Sequence, residues 1–476
     1  MPPEYDLFAF RSGTVTAPAG CGKTQLIADT LTQHTGAKPV LILTHTNAGV
    51  AALRLRMQRA SVPASAYRVA TLDGFAMRLV GIFPERSGIP AAILELRNPG
   101  ADYPAIRLAA CTLVQAGHVS DTLAATYAHL LVDEYQDCNL VQHALVTALA
   151  AVLPTCVLGD PMQAIFGFAG NQLVDWDEHV LQHFPLIGEL NQPWRWINAG
   201  SRGFGEWLLN CRRVLQAGGS IDLEQAPAEV NWIQLLPSTA DRQRMAAALT
   251  RSVTPEGQVL VIGDSRNTRG RRQMASQTPG ATAVEPVDLG DLTSFGRRFD
   301  LQAADAAAQL VNFAAETITQ VGAAALLPRL DILRRGSART MPTPAEAALV
   351  AFATTPTFFL ATEAIRALMR QEHARVYRPE VLYGCLRAME TAAGGGCTFV
   401  EATIRERERN RHESRQLARR AIGSTLLLKG LEAQVAVIPN PENMDARHLY
   451  VAMTRGSSRL VVCSATPRLV PQQRSS

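Results

Sequence analysis

The sequence predicts an α/β protein built on a parallel, doubly wound sheet, and three observations carry that prediction. Apolar β-like runs alternate with helix-periodic segments throughout residues 13–190, the order that lays helices on both faces of a parallel sheet. A glycine-bearing loop joins the first such run to a helix opening at Lys23. A later apolar run, "AHLLVDEYQD", ends in three carboxylates within five positions.

Bulk properties bound the function. A chain of 476 residues with 47% apolar content is long enough for about three domains with large cores. Its net charge of +4 permits a nucleic-acid partner without demanding one. The eight cysteines are scattered, with no C-x-x-C pair, which argues against a zinc site or a disulfide framework and for reduced thiols in a cytoplasmic protein. No apolar run approaches the roughly 20 residues that span a bilayer, and "MPPEYDLFAF" lacks the basic start and apolar core of a signal peptide, so no membrane partner is expected.

The first element, "GTVTAPAGCGKTQLIADTL" (13–31), reads as strand, loop and helix. Its loop, from Ala17 to Thr24, fits the phosphate-cradle pattern except that Ala17 stands where the strict form has glycine. Gly20 and Gly22 let the backbone wrap closely, so that N–H groups face phosphates at a helix N-terminus. Lys23 would reach the β- and γ-phosphates and the Thr24 hydroxyl would ligate Mg²⁺. Ala19, Gly20, Cys21, Gly22, Lys23, Thr24 and Gln25 thus form the expected nucleotide-contacting stretch.

A lone acidic cluster is ordinarily a solvated turn. Beside a phosphate loop, however, "VDEYQD" acquires a chemical reading: Asp133 as the second metal ligand, Glu134 as the base that activates an attacking water. Between the two lies "PVLILTHTNAGVAALRLRM" (39–57), a strand and a helix with Thr44, His45, Thr46 and Asn47 at their junction. "VLGDPMQAIFGFAG" (157–170) repeats that design with Gly159, Asp160, Gln163, Phe166 and Phe168. Such junctions are where open α/β sheets bind ligands.

Taken in order, "TAPAGCGKT", "LTHTNAGVAALR", "VATLDGFAMRL", "VDEYQD", "LGDPMQAIFGFAG", "LNQPWRW", "LLLKGLEAQVAVI" and "LYVAMTRGSSRLVV" resemble the successive motifs of the UvrD/Rep-type helicases of superfamily 1. The resemblance implies two RecA-like P-loop domains with small helical accessory insertions, ATP and Mg²⁺ in the cleft between them, and single-stranded DNA across the top, traversed 3′ to 5′. It implies that Gln163 senses the γ-phosphate, that Arg195 and Arg455 act as arginine fingers, and that Trp194 stacks on the nucleotide base. Gly430 and Glu432 fall in the motif implied to touch nucleotide, and His45, Thr46, Asn47, Phe166 and Phe168 in those implied to contact DNA.

The implied domains are 1–79 with 126–190, a short insertion at 80–125, a second RecA-like domain at 191–290 with 421–476, and a helical accessory domain at 291–420. Within the last, the Ala-rich "QAADAAAQLVNFAAETITQV" (302–321) favours helix, and "RERERNRHESRQLARR" (405–420) reads as a solvated charged helix rather than a phosphate contact. No nuclease domain is expected in the 21 residues after Arg455.

The chain also departs from the family. Residues 1–24 contain no glutamine to read adenine, Gln25 stands where many relatives have arginine, and Asp73, Ala169 and Leu426 replace residues that grip or couple to DNA. ATP hydrolysis is therefore expected more firmly than unwinding. Size and pattern resemble the helicase subunit of the Gabija anti-phage system, which would imply an OLD-family, Toprim-type nuclease partner. The rival reading is a regulatory ATPase subunit of a nuclease complex that senses DNA or nucleotide and unwinds little.

Overall fold

The computed structural model describes residues 4–167, 171–412 and 418–473. Six strands build the first sheet: β1 (Ser12–Thr16), β2 (Val40–Thr44), β3 (Tyr67–Thr71), β4 (Leu130–Val132), β5 (Thr155–Gly159) and β6 (Leu186–Glu189), in the order β3-β2-β4-β5-β1-β6. Every pairing within it is parallel. The central strands are apolar on both faces; Val40, Leu41, Ile42 and Leu43 are all buried, as sheets covered by helices on each side require. Leu41 and Leu43 point into one core with Phe75 and Leu145. Val40 and Ile42 point into the opposite core with Ile27, Leu53 and Met57.

A strand pair β7 (Ile221–Asp222) and β14 (Arg468–Leu469) is antiparallel. The second sheet takes β8 (Val230–Gln234), β9 (Val259–Gly263), β10 (Ala281–Ala283), β11 (Arg420–Ser424), β12 (Ala433–Ile438) and β13 (Gly456–Ser464), in the order β10-β11-β9-β12-β13-β8. Strands β10, β11, β9 and β12 run parallel. Two parallel sheets flanked by helices thus realise the expected fold class.

Between β10 and β11 the chain is helical. Helices including Gly290–Arg298, Ala306–Ala315, Pro344–Thr354, Phe358–Met369 and Pro379–Ala393 surround one core of Leu310, Leu349, Phe352, Ile365, Leu382 and Met389. The Ala-rich stretch forms a shorter helix than its composition suggests, ending at Ala315. Beyond it the β-branched Thr317, Ile318 and Thr319 turn to another segment: Tyr377 N donates to Thr317 O and Thr319 N to Arg375 O, with a bridge between Ile318 and Val376. Long-range pairing overrides local helix propensity there. The charged tract is helical as far as His412; its residues 413–417 lie outside the described residues.

By compactness the chain divides into two units. One comprises residues 1–231, 441–460 and 466–476, the other 232–440 and 461–465. Residues 191–231 and 441–460, assigned by sequence to the second domain, accordingly group with the first sheet. They do so because the helices Trp194–Asn198, Arg202–Gln216 and Ala446–Met453 hydrogen-bond to its loops, the first through the Arg195 N–H and the other two through the Arg212 and Tyr450 side chains.

Candidate active site

In a parallel sheet every strand ends on the same edge. The loops after Thr16, Thr44, Val132 and Gly159 therefore emerge together, and each carries one of the expected motifs. The helix Lys23–Thr32 follows the first loop, with Gly22 as its N-cap at φ 90° and Gly20 at φ 72°. Both angles lie in the left-handed region that favours glycine. Space demands glycine too. A Cβ on Gly20 would stand 2.5 Å from Trp196 Cζ3, and one on Gly22 would stand 3.1 Å from Trp194 Cδ1.

Lys23 lies between the two acids singled out in sequence. Its Nζ is 3.0 Å from Asp133 Oδ1 and 2.5 Å from Glu134 Oε1. Burial alone would lower the lysine pKa, but Asp133 and Glu134 outweigh it and hold Lys23 charged above the ordinary lysine range. Burial pushes the Asp133 carboxyl up, and Lys23 offsets part of that rise. Glu134 adopts φ 57°, a left-handed conformation that costs a non-glycine residue about 1–2 kcal/mol. It permits the Glu134 N–H to donate to Asp133 Oδ1 at 3.0 Å while the carboxylate meets Lys23.

A polar chain runs onward from Glu134. Gln136 Nε2 donates to Glu134 Oε2 at 2.5 Å, and Gln136 Oε1 accepts from Asp160 N at 3.0 Å. The wholly buried Asp160 accepts from Gln163 Nε2 at 3.1 Å and from Arg212 Nε at 3.0 Å. Arg212 also donates to Glu189 Oε1 at 2.8 Å, so its buried charge is paired twice. Gln163 is thus joined to Glu134 through Asp160 and Gln136. Arg212 lies in none of the sequence motifs, although its helix carries a signal for it. It occupies the position four residues after Leu208, inside the buried stripe Phe204, Leu208, Cys211 and Leu215 of its helix, where an arginine has to find an anion.

Trp194, Arg195 and Arg455 belong to the same compact unit as Lys23. Arg195 N donates to Gly20 O at 3.0 Å, which seats the helix Trp194–Asn198 on the glycine loop. The Trp194 indole stands beside Gly22 and is 41% exposed. The two arginines meet at Thr454. Arg195 Nη1 donates to Thr454 O at 2.6 Å, and Arg455 Nη2 to Thr454 Oγ1 at 3.1 Å. The buried Arg455 also donates from Nε to Val451 O at 2.9 Å. Tyr450, one turn earlier, accepts from Ala19 N at 3.1 Å, and Trp196 Nε1 donates to Gly456 O at 2.9 Å. Tyr450 and Trp196 lie within quoted motifs, but nothing in their spacing distinguishes a loop-binding phenol or a wedge from ordinary core aromatics.

Thr24 and Gln25 continue the helix after Lys23. Gln25 Nε2 donates to Asp29 at 2.7 Å and its Oε1 accepts from Arg56 at 3.1 Å. Thr46 caps the helix Asn47–Arg59 by accepting from Gly49 N at 3.0 Å, and Asn47 is exposed at its first turn. His45 and Phe166 come together with ring centroids 6.4 Å apart, inclined by 22°. Phe168 lies outside the described residues. Gly430, at φ 79°, and Glu432 are exposed before β12 and belong to the other compact unit. Asp73 holds Arg107 through two hydrogen bonds of 2.6 Å and accepts from Gln142 Nε2 at 3.1 Å. It therefore ties the inserted helix Pro99–Gln115 to the domain.

Residues 94–175 match the family model of the UvrD/REP helicase N-terminal domain. The match spans the inserted helix, β4 with its carboxylates, and β5 with Asp160 and Gln163. No curated protein matches the chain. Among solved structures it is similar to the arterivirus nonstructural protein 10 helicase in complex with DNA, with a TM-score of 0.36 and 9% identity over 96% of this chain and 62% of that one. It is also similar to the Pif1 helicase from Candida albicans, with a TM-score of 0.30 and 13% identity over 56% of this chain and 50% of that one. The chain spans under two thirds of the length of either structure.

Proposed function

We propose that the chain hydrolyses ATP with Mg²⁺ and uses the hydrolysis to move 3′ to 5′ along single-stranded DNA, as a compact motor of the UvrD/Rep type. The observation that carries this reading is Lys23, placed at a helix N-terminus and shared between Asp133 and Glu134. That single ammonium balances two carboxylates. A triphosphate would draw the ammonium to itself, and a divalent cation would restore positive charge at Asp133. The donors therefore fit a magnesium nucleotide: hard oxygens from Thr24 and Asp133, and backbone from Ala19 to Thr24. Bound magnesium would neutralise charge on the β- and γ-phosphate oxygens.

Each remaining role belongs to the protein. Glu134, released from Lys23, accepts the proton of the attacking water. Gln163, linked to Glu134 through Asp160 and Gln136, reports the occupancy of the γ-position to that base. Arg195 and Arg455 neutralise charge that develops on the transferred phosphoryl group, while Trp194 offers its exposed indole to the base of the nucleotide. Thr46 and Asn47 sit at a helix N-terminus suited to a DNA phosphate, and Phe166 offers a stacking surface of the sort that binds any base, worth about 1–3 kcal/mol each.

A second reading, a regulatory ATPase that acts with an OLD-family, Toprim-type nuclease in anti-phage defence and moves little, is favoured by one contact. The ring beside Phe166 is that of His45, with centroids 6.4 Å apart and planes inclined by 22°, a smaller and more polar neighbour for a stacked base than a second phenyl ring. ATP turnover by the full chain with and without single-stranded DNA separates the two readings, with Glu134→Gln as the blank. The motor reading expects DNA to stimulate turnover by about tenfold or more and the variant to bind nucleotide without hydrolysing it. DNA-indifferent turnover would favour the regulatory reading, and turnover retained in Glu134→Gln would remove Glu134 from the role of base.

A further inference from the structure

The molecule has a second concave site away from the nucleotide loop. A cavity of about 610 Å³ wraps the outer edge of β3, the terminal strand of the first sheet. Its floor is apolar, with Leu41, Val62, Val69 and Phe75, and three exposed arginines ring it: Arg54, Arg68 and Arg78. Arg54 comes from the helix Asn47–Arg59 and Arg78 from the helix Leu72–Ile82. Those helices pack into the two different cores on opposite faces of the sheet. The groove is therefore lined with positive charge above and below an open strand edge. Among the described residues none of these three arginines has a carboxylate within ion-pairing distance.

The backbone at that edge is open as well. Ala66 O accepts from Val40 N, so Ala66 faces β2, and by alternation Tyr67, Val69 and Thr71 face outward. Two outward carbonyls accept from arginine side chains and not from a neighbouring strand: Arg68 Nη1 donates to Tyr67 O at 2.8 Å, and Arg54 Nη2 to Val69 O at 3.3 Å. Arginines so placed discourage random edge pairing. They also select for a strand that brings its own carboxylates.

We propose that the β3 edge is a docking groove for an acidic, extended segment of a partner protein, which adds a parallel or antiparallel strand beside Tyr67–Thr71. Main-chain hydrogen bonds to Val69 and Thr71 supply affinity, and carboxylates projecting to alternate faces receive the guanidiniums of Arg54 and Arg78. A nucleic-acid backbone could satisfy the arginines, but it leaves the strand edge unpaired, and that is why a peptide fits better.

The test uses the full chain and a fluorescein-labelled decapeptide of alternating glutamate pairs and valine pairs, so that neighbouring glutamates project to opposite faces, followed by fluorescence anisotropy. Saturable binding is expected, weakened about tenfold or more in the double variant Arg54→Glu, Arg78→Glu, and lost when a central valine of the peptide is replaced by proline, which cannot complete the ladder. Amide exchange on the unsubstituted protein reads the same event without a variant: the Val69 and Thr71 N–H groups should slow when the acidic peptide is added. Absence of binding, equal binding of the proline-interrupted peptide, or unchanged exchange at Val69 and Thr71 would overturn the proposal and leave the arginines as edge guards. Competitive displacement by oligothymidylate would overturn it in favour of a nucleic-acid contact.

Discussion

Arg212 and Asp160 show how much one buried pair can decide. Asp160 has no exposed surface, and its charge is balanced by a guanidinium that is itself buried. Removing the guanidinium strands the carboxylate, so Arg212→Met should destabilise the protein by about 3–5 kcal/mol. Adding Asp160→Asn should recover part of the loss, a coupling that urea denaturation of the two single variants and the double variant would reveal; simple additivity would dismiss the pair. His143 offers a test by pH. Tyr135 Oη lies 2.7 Å from His143 Nδ1, and burial, with His183 and His179 nearby, lowers the His143 pKa from 6.5 to about 4. As pH falls from 6.5 toward 4 the unfolded chain gains a proton there that the native protein refuses. Stability should therefore decline through that window by about 1.4 kcal/mol per pH unit from this residue and level off below it. His143→Gln should flatten the decline in urea melts across the same range; an unchanged slope would count against a neutral His143.

Between elements, specific polar contacts fix what hydrophobic burial leaves adjustable. The inserted helix Pro99–Gln115 buries Ile106, Ala110 and Leu113 in the first core, yet burial alone would tolerate a rotated helix. Asp73 settles its register by taking Arg107 through both carboxylate oxygens, while Gln142, from the capping box of the helix Leu140–Val152, donates to the same carboxylate. The pair is partly exposed, with side chains 20% and 26% accessible, so solvent screens it. Arg107→Ala should cost roughly 1–2 kcal/mol and speed amide exchange in Pro99–Gln115 more than in the helix Lys23–Thr32. Equal exchange in both helices would show that burial suffices.

For the whole molecule, the proposed nucleotide site should appear as a gain in stability on binding. Mg-ATP in hundredfold excess over its dissociation constant should stabilise the folded chain by about 2.7 kcal/mol, seen as a rise in melting temperature that Glu134→Gln preserves. Lys23→Ala should reduce or abolish that rise, since it removes the cation expected to meet the phosphates. A full shift retained in Lys23→Ala would place nucleotide elsewhere.

The period of the apolar pattern and the chemistry of short motifs were local, and the sequence determined them by itself. Parallel strands buried on both faces must be apolar runs, and a tight loop that turns a strand into a helix needs glycines at left-handed angles. Each follows from residues within a few positions of one another, as the strands β1, β2, β4 and β5 and the left-handed angles of Gly20 and Gly22 bear out. Tertiary structure alone decided what depends on distant segments meeting. Tyr450 bonds to Ala19, separated by 431 positions, Arg212 to Asp160 across 52, and Arg195 to Thr454 across 259. The same cause made Asp73 an anchor for Arg107, and ended the Ala-rich helix at Ala315 so that Thr317 and Thr319 could pair with a strand-like segment. A buried polar group takes whichever partner the fold brings within about 3 Å, and that partner is a property of three dimensions.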